Sequence, residues 1–282
     1  MTTCALHFER RGHGPPLVLL HGFTGSARSM AGVAAALECD HEMIVPDLPG
    51  HGRSVGGATV GGYAFDDCID ALAATLHAAG HSSAHWLGYS MGARLALACA
   101  VRHPGVVESL VLLAGRAGIE DAAERAARRA ADDALCTRLE TQGIEAFVDE
   151  WLAQPLFATL QRRGPGFMAG ERRERLANDP RELAASLRAL GPAAQPSLFA
   201  QLPRVRVPVL LVAGALDVRF VAAAYDLARR LARAEVCEIA DAGHAAHLEQ
   251  PAAFVAAVRE FLRRADGPAR TSSKSSVQEI AS

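Results

Sequence analysis

Residues 88–92 read Gly-Tyr-Ser-Met-Gly. The apolar run Ala84 to Leu87 before them reads as a buried strand, and the Ala/Leu run Ala93 to Val101 after them reads as a helix. A strand, a sharp turn and a helix with a serine at the apex form a device for presenting a nucleophile. Small residues at 88 and 92 let strand and helix pack closely while Ser90 takes a strained backbone conformation. The N–H of Met91, at the helix start, then faces any oxygen bound beside the Ser90 hydroxyl. The same pentapeptide also fits a plain strand-to-helix turn with an idle serine, so the chemistry requires a base and an acid from elsewhere in the chain.

Arg94 is the second signal. It is the only charge between Ser90 and Arg102, on a helix apolar enough to be buried. Helical side chains lean toward the N-terminus, so the guanidinium one turn after Ser90 should rise toward the serine. A buried arginine needs a partner. Two partners are open: an internal Asp or Glu, or a substrate carboxylate held bidentately.

These residues need a sheet to hold them. Cys4 to Arg10 alternates weakly and suggests an edge strand; Pro16 to Leu20 is an apolar strand that runs into His21-Gly22-Phe23-Thr24-Gly25-Ser26. Small residues after a strand mark a loop at the carboxyl edge of a sheet, where open α/β sheets bind ligands. The backbone N–H of Phe23 there would be the second donor of an oxyanion hole; the alternative is an ordinary glycine loop. Ser29 to Leu37 has a helical period, Met43 to Val45 is a short strand, and Pro46 to Ser54 is a proline/glycine loop. His51 in that loop reads as structural. Gly56 to Gly62 is expected to be mobile. Tyr63 to Ala79 reads as a helix with Asp66, Asp67 and Asp70 near its start, and Val106 to Ala114 as another strand. Alternating strands and helices predict an α/β fold with a mostly parallel, doubly wound sheet.

The rhythm then breaks. From Arg116 to about Gln201 no strand is evident. Ile119 to Leu139, Gly143 to Leu152 and Arg172 to Leu190 read as helices. We expect a helical cap over residues 116–201, inserted into a core made of 1–115 and 202–265 and placed as a lid over the strand ends. Val207 to Ala213 resumes the sheet and ends in a loop carrying Asp217. Ala222 to Leu231 is a helix. Val236 to Ile239 is the last strand, followed by Asp241-Ala242-Gly243-His244-Ala245-Ala246-His247. Pro251 to Leu262 is a closing helix with proline in its first turn. Residues 266–282, rich in Ser and Thr, are expected to be a disordered tail.

Composition narrows the function classes. With 282 residues, half of them hydrophobic, the chain can build one large α/β core plus an insertion. A net charge of −2 argues against nucleic acid or an anionic membrane as partner. No signal peptide and no bilayer-spanning run are evident. Six cysteines are scattered singly without metal-like spacing, as expected of reduced core residues in a cytoplasmic protein. Lysine occurs only at 274, which excludes a Schiff-base lysine and a P-loop within the core.

Ser90, Asp217 and His244 each follow a different expected strand, so they can converge at one sheet edge. His244 would take the proton of Ser90, and Asp217 would fix the imidazole tautomer. His247, three residues on, is the competitor for the base. The chain order Ser, Asp, His, the His21-Gly22-Phe23-Thr24-Gly25 loop, the Gly88 to Arg94 run and Gly243 to His247 resemble the α/β-hydrolase superfamily. The cap resembles one family within it. Glu124 to Arg129, Gly143 to Val148 with Trp151, Pro155-Leu156-Phe157 and Arg175-Leu176-Ala177-Asn178-Asp179-Pro180 are similar to the 2-succinyl-6-hydroxy-2,4-cyclohexadiene-1-carboxylate synthases of menaquinone biosynthesis. Ala93 stands where that family commonly has glycine, and alanine is small enough to keep the turn.

The resemblance, which extends to about Leu262, implies a lyase rather than a hydrolase. A His-activated serine would act as general base, pyruvate would leave an enolpyruvyl-cyclohexene substrate, and neither metal nor cofactor is required. It further implies Tyr89, Arg94, Arg128, Trp151 and Arg175 as residues binding a small polycarboxylate, with Arg129 and Arg173 as neighbouring arginines in the same motifs. By charge pattern alone, each cap arginine also fits a solvated helix face. A monomer is the favoured assembly. Two other functions share the same residues: a carboxylesterase or carbon–carbon bond hydrolase with this triad, and a non-catalytic ligand-binding protein on the fold.

Overall fold

The computed structural model describes residues 5–57 and 63–267. The tail from 268 onward and most of the Gly56 to Gly62 stretch lie outside the described residues. Seven strands form one sheet in the order β1-β3-β2-β4-β5-β6-β7. They are β1 (Phe8–Gly12), β2 (Pro16–Leu20), β3 (Glu42–Pro46), β4 (Ala84–Tyr89), β5 (Val107–Leu113), β6 (Val209–Gly214) and β7 (Ala234–Ile239). β1 runs antiparallel to β3 at the edge, and every other pairing is parallel.

The central strands are continuous apolar runs because both faces of the sheet are covered. Along β2 the faces alternate. Val18 and Leu20 join Trp86, Leu72, Leu95 and Leu227 in one core layer. Leu17 and Leu19 join Val33, Leu37, Phe254 and Val258 in the other. The first layer is roofed by α2 (Phe65–Ala78), α3 (Met91–Arg102) and α7 (Val218–Arg230), the second by α1 (Ala31–Leu37) and α9 (Pro251–Asp266).

Between β5 and β6 the described chain contains helices and turns but no strand. Helix α4 (Ala122–Leu152) bends at Gly143, whose φ of 82° and ψ of 178° are non-helical, so the two helices expected there are joined end to end. The single helix expected over 172–190 is instead two, α5 (Pro165–Leu176) and α6 (Pro180–Leu190). Pro180 cannot continue a helix from the preceding turn. Asp179 restarts it by accepting the N–H groups of Arg181 and Glu182 at 2.8 and 3.0 Å. These helices have their own small core of Cys136, Leu139, Phe147, Val148, Leu183 and Leu187. At the other end of the chain, α9 continues through Asp266 instead of stopping at Leu262.

Candidate active site

The turn after β4 has the geometry its residue types require. Ser90 sits at φ 52°, ψ −105°, a strained conformation for a residue with a side chain. A Cβ on Gly88 would lie 2.4 Å from the Gly92 carbonyl, and one on Gly92 would lie 2.4 Å from the Leu20 carbonyl oxygen. Neither position tolerates a larger residue, because the obstructing atoms are backbone. The Ser90 N–H donates to the Leu113 carbonyl at 2.8 Å, locking the turn to the neighbouring strand.

Three strand ends bring the triad together. His244 Nε2 lies 3.1 Å from Ser90 Oγ, and His244 Nδ1 lies 2.9 Å from Asp217 Oδ2. Asp217 follows β6 and His244 follows β7, beside a four-residue helix α8 (Ala246–Glu249). The loop carrying His244 is gripped from below: Glu249 accepts the N–H of Gly243 at 2.8 Å and that of Ala245 at 3.2 Å. Glu249 thus holds the backbone on both sides of the histidine, a contact the sequence pattern did not reveal. His247 touches neither Ser90 nor Asp217 in any described contact. Its ring packs against that of Tyr89, centroids 4.4 Å apart and tilted by 48°, and burial with the nearby His244 holds its pKa down at about 3.

A cavity of about 550 Å³ opens over Ser90 and is lined by Phe23, Tyr89, Met91, Arg94, Arg128, Trp151 and His244 among others. Its size suits a small organic ligand. Phe23 is held by aromatic contacts to Phe147 and Trp151 across the cap. The loop beneath it rests on two buried histidines. His21 Nε2 accepts the Leu48 N–H at 2.9 Å, and His51 Nε2 accepts the Thr24 N–H at 3.2 Å. Burial keeps both neutral, with pKa values lowered to about 4 and about 3.

Arg94 is buried and makes no ion pair within 4 Å among the described residues, although the Asp132 carboxylate is near enough to favour its charge. Its Nη1 donates to Gln195 Oε1 at 3.0 Å and its Nη2 to the Leu190 carbonyl at 2.8 Å. Burial, reinforced by Arg128, lowers its pKa to about 10, so it stays charged at neutral pH. The guanidinium is positioned by neutral acceptors at the cavity wall. Arg128 also faces the cavity, paired with Asp132 at 2.8 Å. Two further arginines line it that the sequence reading did not pick out, Arg116 and Arg219, along with Gln154 and Gln195. Arginine is so frequent in this chain that its placement by composition was uninformative.

The remaining expected contacts divide. The Trp151 indole faces the cavity, and its N–H is buried without a hydrogen-bond partner among the described residues. Arg175 does not line the cavity. It is buried, its Nη1 bound to Glu171 at 2.7 Å, and its charge bears on the rings of Tyr89 and His247 from behind. Its partner Glu171 stands one turn earlier on the same helix. Arg129 donates to the Ala193 carbonyl at 3.0 Å, and Arg173 is exposed. Asn178 is the cap residue that pattern reading undervalued. It donates to the Thr24 carbonyl at 2.9 Å and accepts the Gly52 N–H at 3.1 Å, tying the cap to both loops at the sheet edge.

Residues 15–251 match the α/β hydrolase fold family. The 2-succinyl-6-hydroxy-2,4-cyclohexadiene-1-carboxylate synthase of Escherichia coli O1:K1 / APEC is 34% identical over 266 residues, covering 92% of this chain and 99% of its own. Among solved structures, MenH from S. aureus superposes with a TM-score of 0.87 at 30% identity, covering 94% of this chain and 100% of that one. A thermophilic esterase from Thermogutta terrifontis superposes with a TM-score of 0.79 at 27% identity, covering 92% and 93%. The chain belongs to the α/β-hydrolase fold family and, within it, to the family of the 2-succinyl-6-hydroxy-2,4-cyclohexadiene-1-carboxylate synthases.

Proposed function

We propose that this chain is a carbon–oxygen lyase of menaquinone biosynthesis. It eliminates pyruvate from 2-succinyl-5-enolpyruvyl-6-hydroxy-3-cyclohexene-1-carboxylate to give 2-succinyl-6-hydroxy-2,4-cyclohexadiene-1-carboxylate. The observation that carries the reading is Arg94: a buried guanidinium, one helical turn past Ser90, held by a carbonyl and an amide rather than by an acid. A cation so placed at the wall of a cavity is arranged for an anionic substrate. Arg128, and with it Arg116 and Arg219, extends the positive lining for a molecule bearing several carboxylates.

The chemistry follows from the triad geometry. Asp217 accepts Nδ1–H of His244, leaving Nε2 to receive the Ser90 hydroxyl proton. The hydroxyl so activated removes the ring proton beside the succinyl carbonyl. Electrons move through the ring double bond, the ring-carbon–oxygen bond to the enolpyruvyl group breaks, and the departing enolate of pyruvate takes up a proton. The N–H groups of Phe23 and Met91 stabilise charge building on the succinyl oxygen. No covalent acyl-enzyme forms, and the step calls for no metal or cofactor. Trp151 and Tyr89 shape the cavity around the ring. The helical segment 116–201 serves as the lid, tied to the core loops through the Asn178 side chain.

No helix of the described residues is long and apolar enough to cross a membrane. The described cysteines 39, 68, 99, 136 and 237 are free thiols, which suits a reducing, cytoplasmic setting.

The test is incubation with the enolpyruvyl substrate while following pyruvate and diene absorbance together; equal appearance of the two supports the lyase. A second reading, a serine esterase, is favoured by the likeness to the Thermogutta terrifontis esterase. Rapid turnover of simple esters with an acyl-enzyme burst, and no diene, would establish it in place of the lyase.

A further inference from the structure

At the amino edge of the sheet, away from the cavity, His41, His85 and Asp266 form a group whose ligand atoms all lie within 4.8 Å of one another. His85 is in β4 five residues before Ser90, which separates the two places by roughly 16 Å of extended chain. His41 is 96% buried, since 4% of it is accessible; its Nδ1 has no hydrogen-bond partner among the described residues, and its Nε2 faces Asp266 Oδ2 at a long 3.5 Å. A buried imidazole so weakly bonded is costly unless something binds it. We propose that His41, His85 and Asp266 form a binding site for a divalent transition metal, with zinc as the best-matched ion.

The distances fit. Four ligand atoms around tetrahedral zinc stand about 3.3 Å apart, given its usual bond lengths. His85 Nε2 lies 2.9 Å from Asp266 Oδ1 and 3.6 Å from Glu108 Oε2, and His41 Nε2 lies 3.5 Å from Asp266 Oδ2. His41, His85 and Asp266 would supply three ligands, leaving a fourth position for solvent on the exposed side of Asp266. The donor set of two imidazoles and one carboxylate suits zinc better than magnesium or calcium, which prefer oxygen ligands alone. The Glu108 carboxylate, 3.6 Å from His85 Nε2, would offset the positive charge that Asp266 leaves on the ion.

Local structure around the group supports the same assignment. His85 Nδ1 lies 2.8 Å from Ser109 Oγ. With Nδ1–H donated there, the Nε2 lone pair faces the cluster, the outer-shell arrangement typical of metal-bound histidine. The pairing of β4 with β5 shifts register between Ala84 and His85, placing Val107 opposite the first and Ser109 opposite the second. The skipped residue is Glu108. A bulge re-aims the side chain that alternation would send elsewhere, so Glu108 and Ser109 both reach one ring. The Asp266 side chain is 20% exposed and provides the entry side. A bound ion would staple the end of α9 to the residue preceding β3 and to the start of β4.

The test uses the full-length, tag-free protein, stripped with a chelator, desalted and titrated with zinc chloride in competition with a chromophoric chelator. One equivalent should bind, with a rise in Tm of about 5 °C at 100-fold excess over Kd. Binding should persist in His244→Ala, which removes the imidazole of the triad. It should weaken at least tenfold in Asp266→Asn and in His41→Phe, each checked for a native circular dichroism spectrum. Asp266→Asn, whose position is at the surface end of a helix, should leave turnover unchanged. Failure to bind one equivalent, undiminished affinity in Asp266→Asn, or loss of binding in His244→Ala would overturn the proposal.

Discussion

Asn178 and Thr24 are joined across the cap–core boundary: the asparagine amide donates to the threonine carbonyl at 2.9 Å. Thr24 follows Phe23, and its own φ of 68° is in the left-handed region that a threonine rarely adopts. The loop offering the Phe23 N–H is therefore held in a strained shape by a residue of the cap, with His51 supporting the Thr24 N–H from the core side. Asn178→Ala removes that hold and leaves the Gly52 N–H without its acceptor. We expect kcat to fall about tenfold and stability to drop by about 1–3 kcal/mol. Steady-state kinetics beside a urea melt checks this; unchanged kcat with lowered stability would leave Asn178 as a packing residue only.

Arg94→Met keeps the bulk of the side chain and removes its charge. If the guanidinium binds a substrate carboxylate, kcat/KM for the enolpyruvyl substrate should fall roughly 10²–10³-fold, in line with losing a buried charge partner. An analogue with that carboxylate replaced by an amide should lose far less. Equal losses for the two compounds would assign Arg94 to holding Leu190 and Gln195 together.

Asp217→Asn preserves shape and reverses what the side chain can offer His244 Nδ1, 2.9 Å away. The imidazole then takes the wrong tautomer to activate Ser90. The rate should fall about 10³–10⁴-fold with little change in Tm. Stopped-flow measurement of diene formation gives the number; turnover within tenfold of the parent would transfer the role to another acid.

Glu249 acts one step further out. Its two oxygens accept the N–H groups flanking His244, so it fixes the ring's position without touching substrate. Glu249→Gln can keep only one of these bonds, because the amide NH₂ faces a second donor. We expect kcat to fall about 10- to 100-fold with KM nearly unchanged, and Glu249→Asp to recover part of it. A purely structural role would instead lower Tm and leave the kcat-to-KM split alone.

The parts legible in the sequence are those where one residue type has one physical use. Gly88 and Gly92 are required because backbone stands 2.4 Å from any Cβ there, and the parallel strands are legible because burial on both faces makes them uniformly apolar. The lyase assignment was legible because cap motifs carry more family information than the triad does. Positions decided by three-dimensional approach were harder to read. Arg175 and Arg128 look alike in the chain, yet the first pairs with Glu171 one turn back on its own helix while the second faces the cavity. Arg116 and Arg219 reach the cavity from opposite sides of the insertion, and no spacing rule links residues so far apart. Glu249 was overlooked because its partners are backbone N–H groups, which leave no trace in residue type.

The buried histidines give the fold a pH dependence that can be predicted in sign. His21, His51 and His247 have pKa values lowered by burial to about 4, 3 and 3, whereas in the unfolded chain each titrates near 6.5. The unfolded state therefore takes up protons first as the pH falls. Their contribution is complete above pH 6.5 and is lost as the pH drops toward the folded values. Each fully uncoupled histidine costs about 1.4 kcal/mol of stability per pH unit within that window. Asp70, held down at about 2 chiefly by the Arg102 guanidinium, loses its contribution only below the ordinary carboxylate range; burial also lowers the pKa of His41 and raises that of Asp132, so the comparison between the parent and a variant lacking one ring isolates that ring. Urea unfolding between about pH 6.5 and 4.5 should show stability falling by several kcal/mol in the parent. The fall should be shallower in His247→Phe, which removes one titrating ring and keeps an aromatic partner for Tyr89 at 4.4 Å. A flat profile in the parent, or an identical slope in the variant, would mean that these rings are protonated in the folded protein and that the loops they support are looser than their hydrogen bonds indicate.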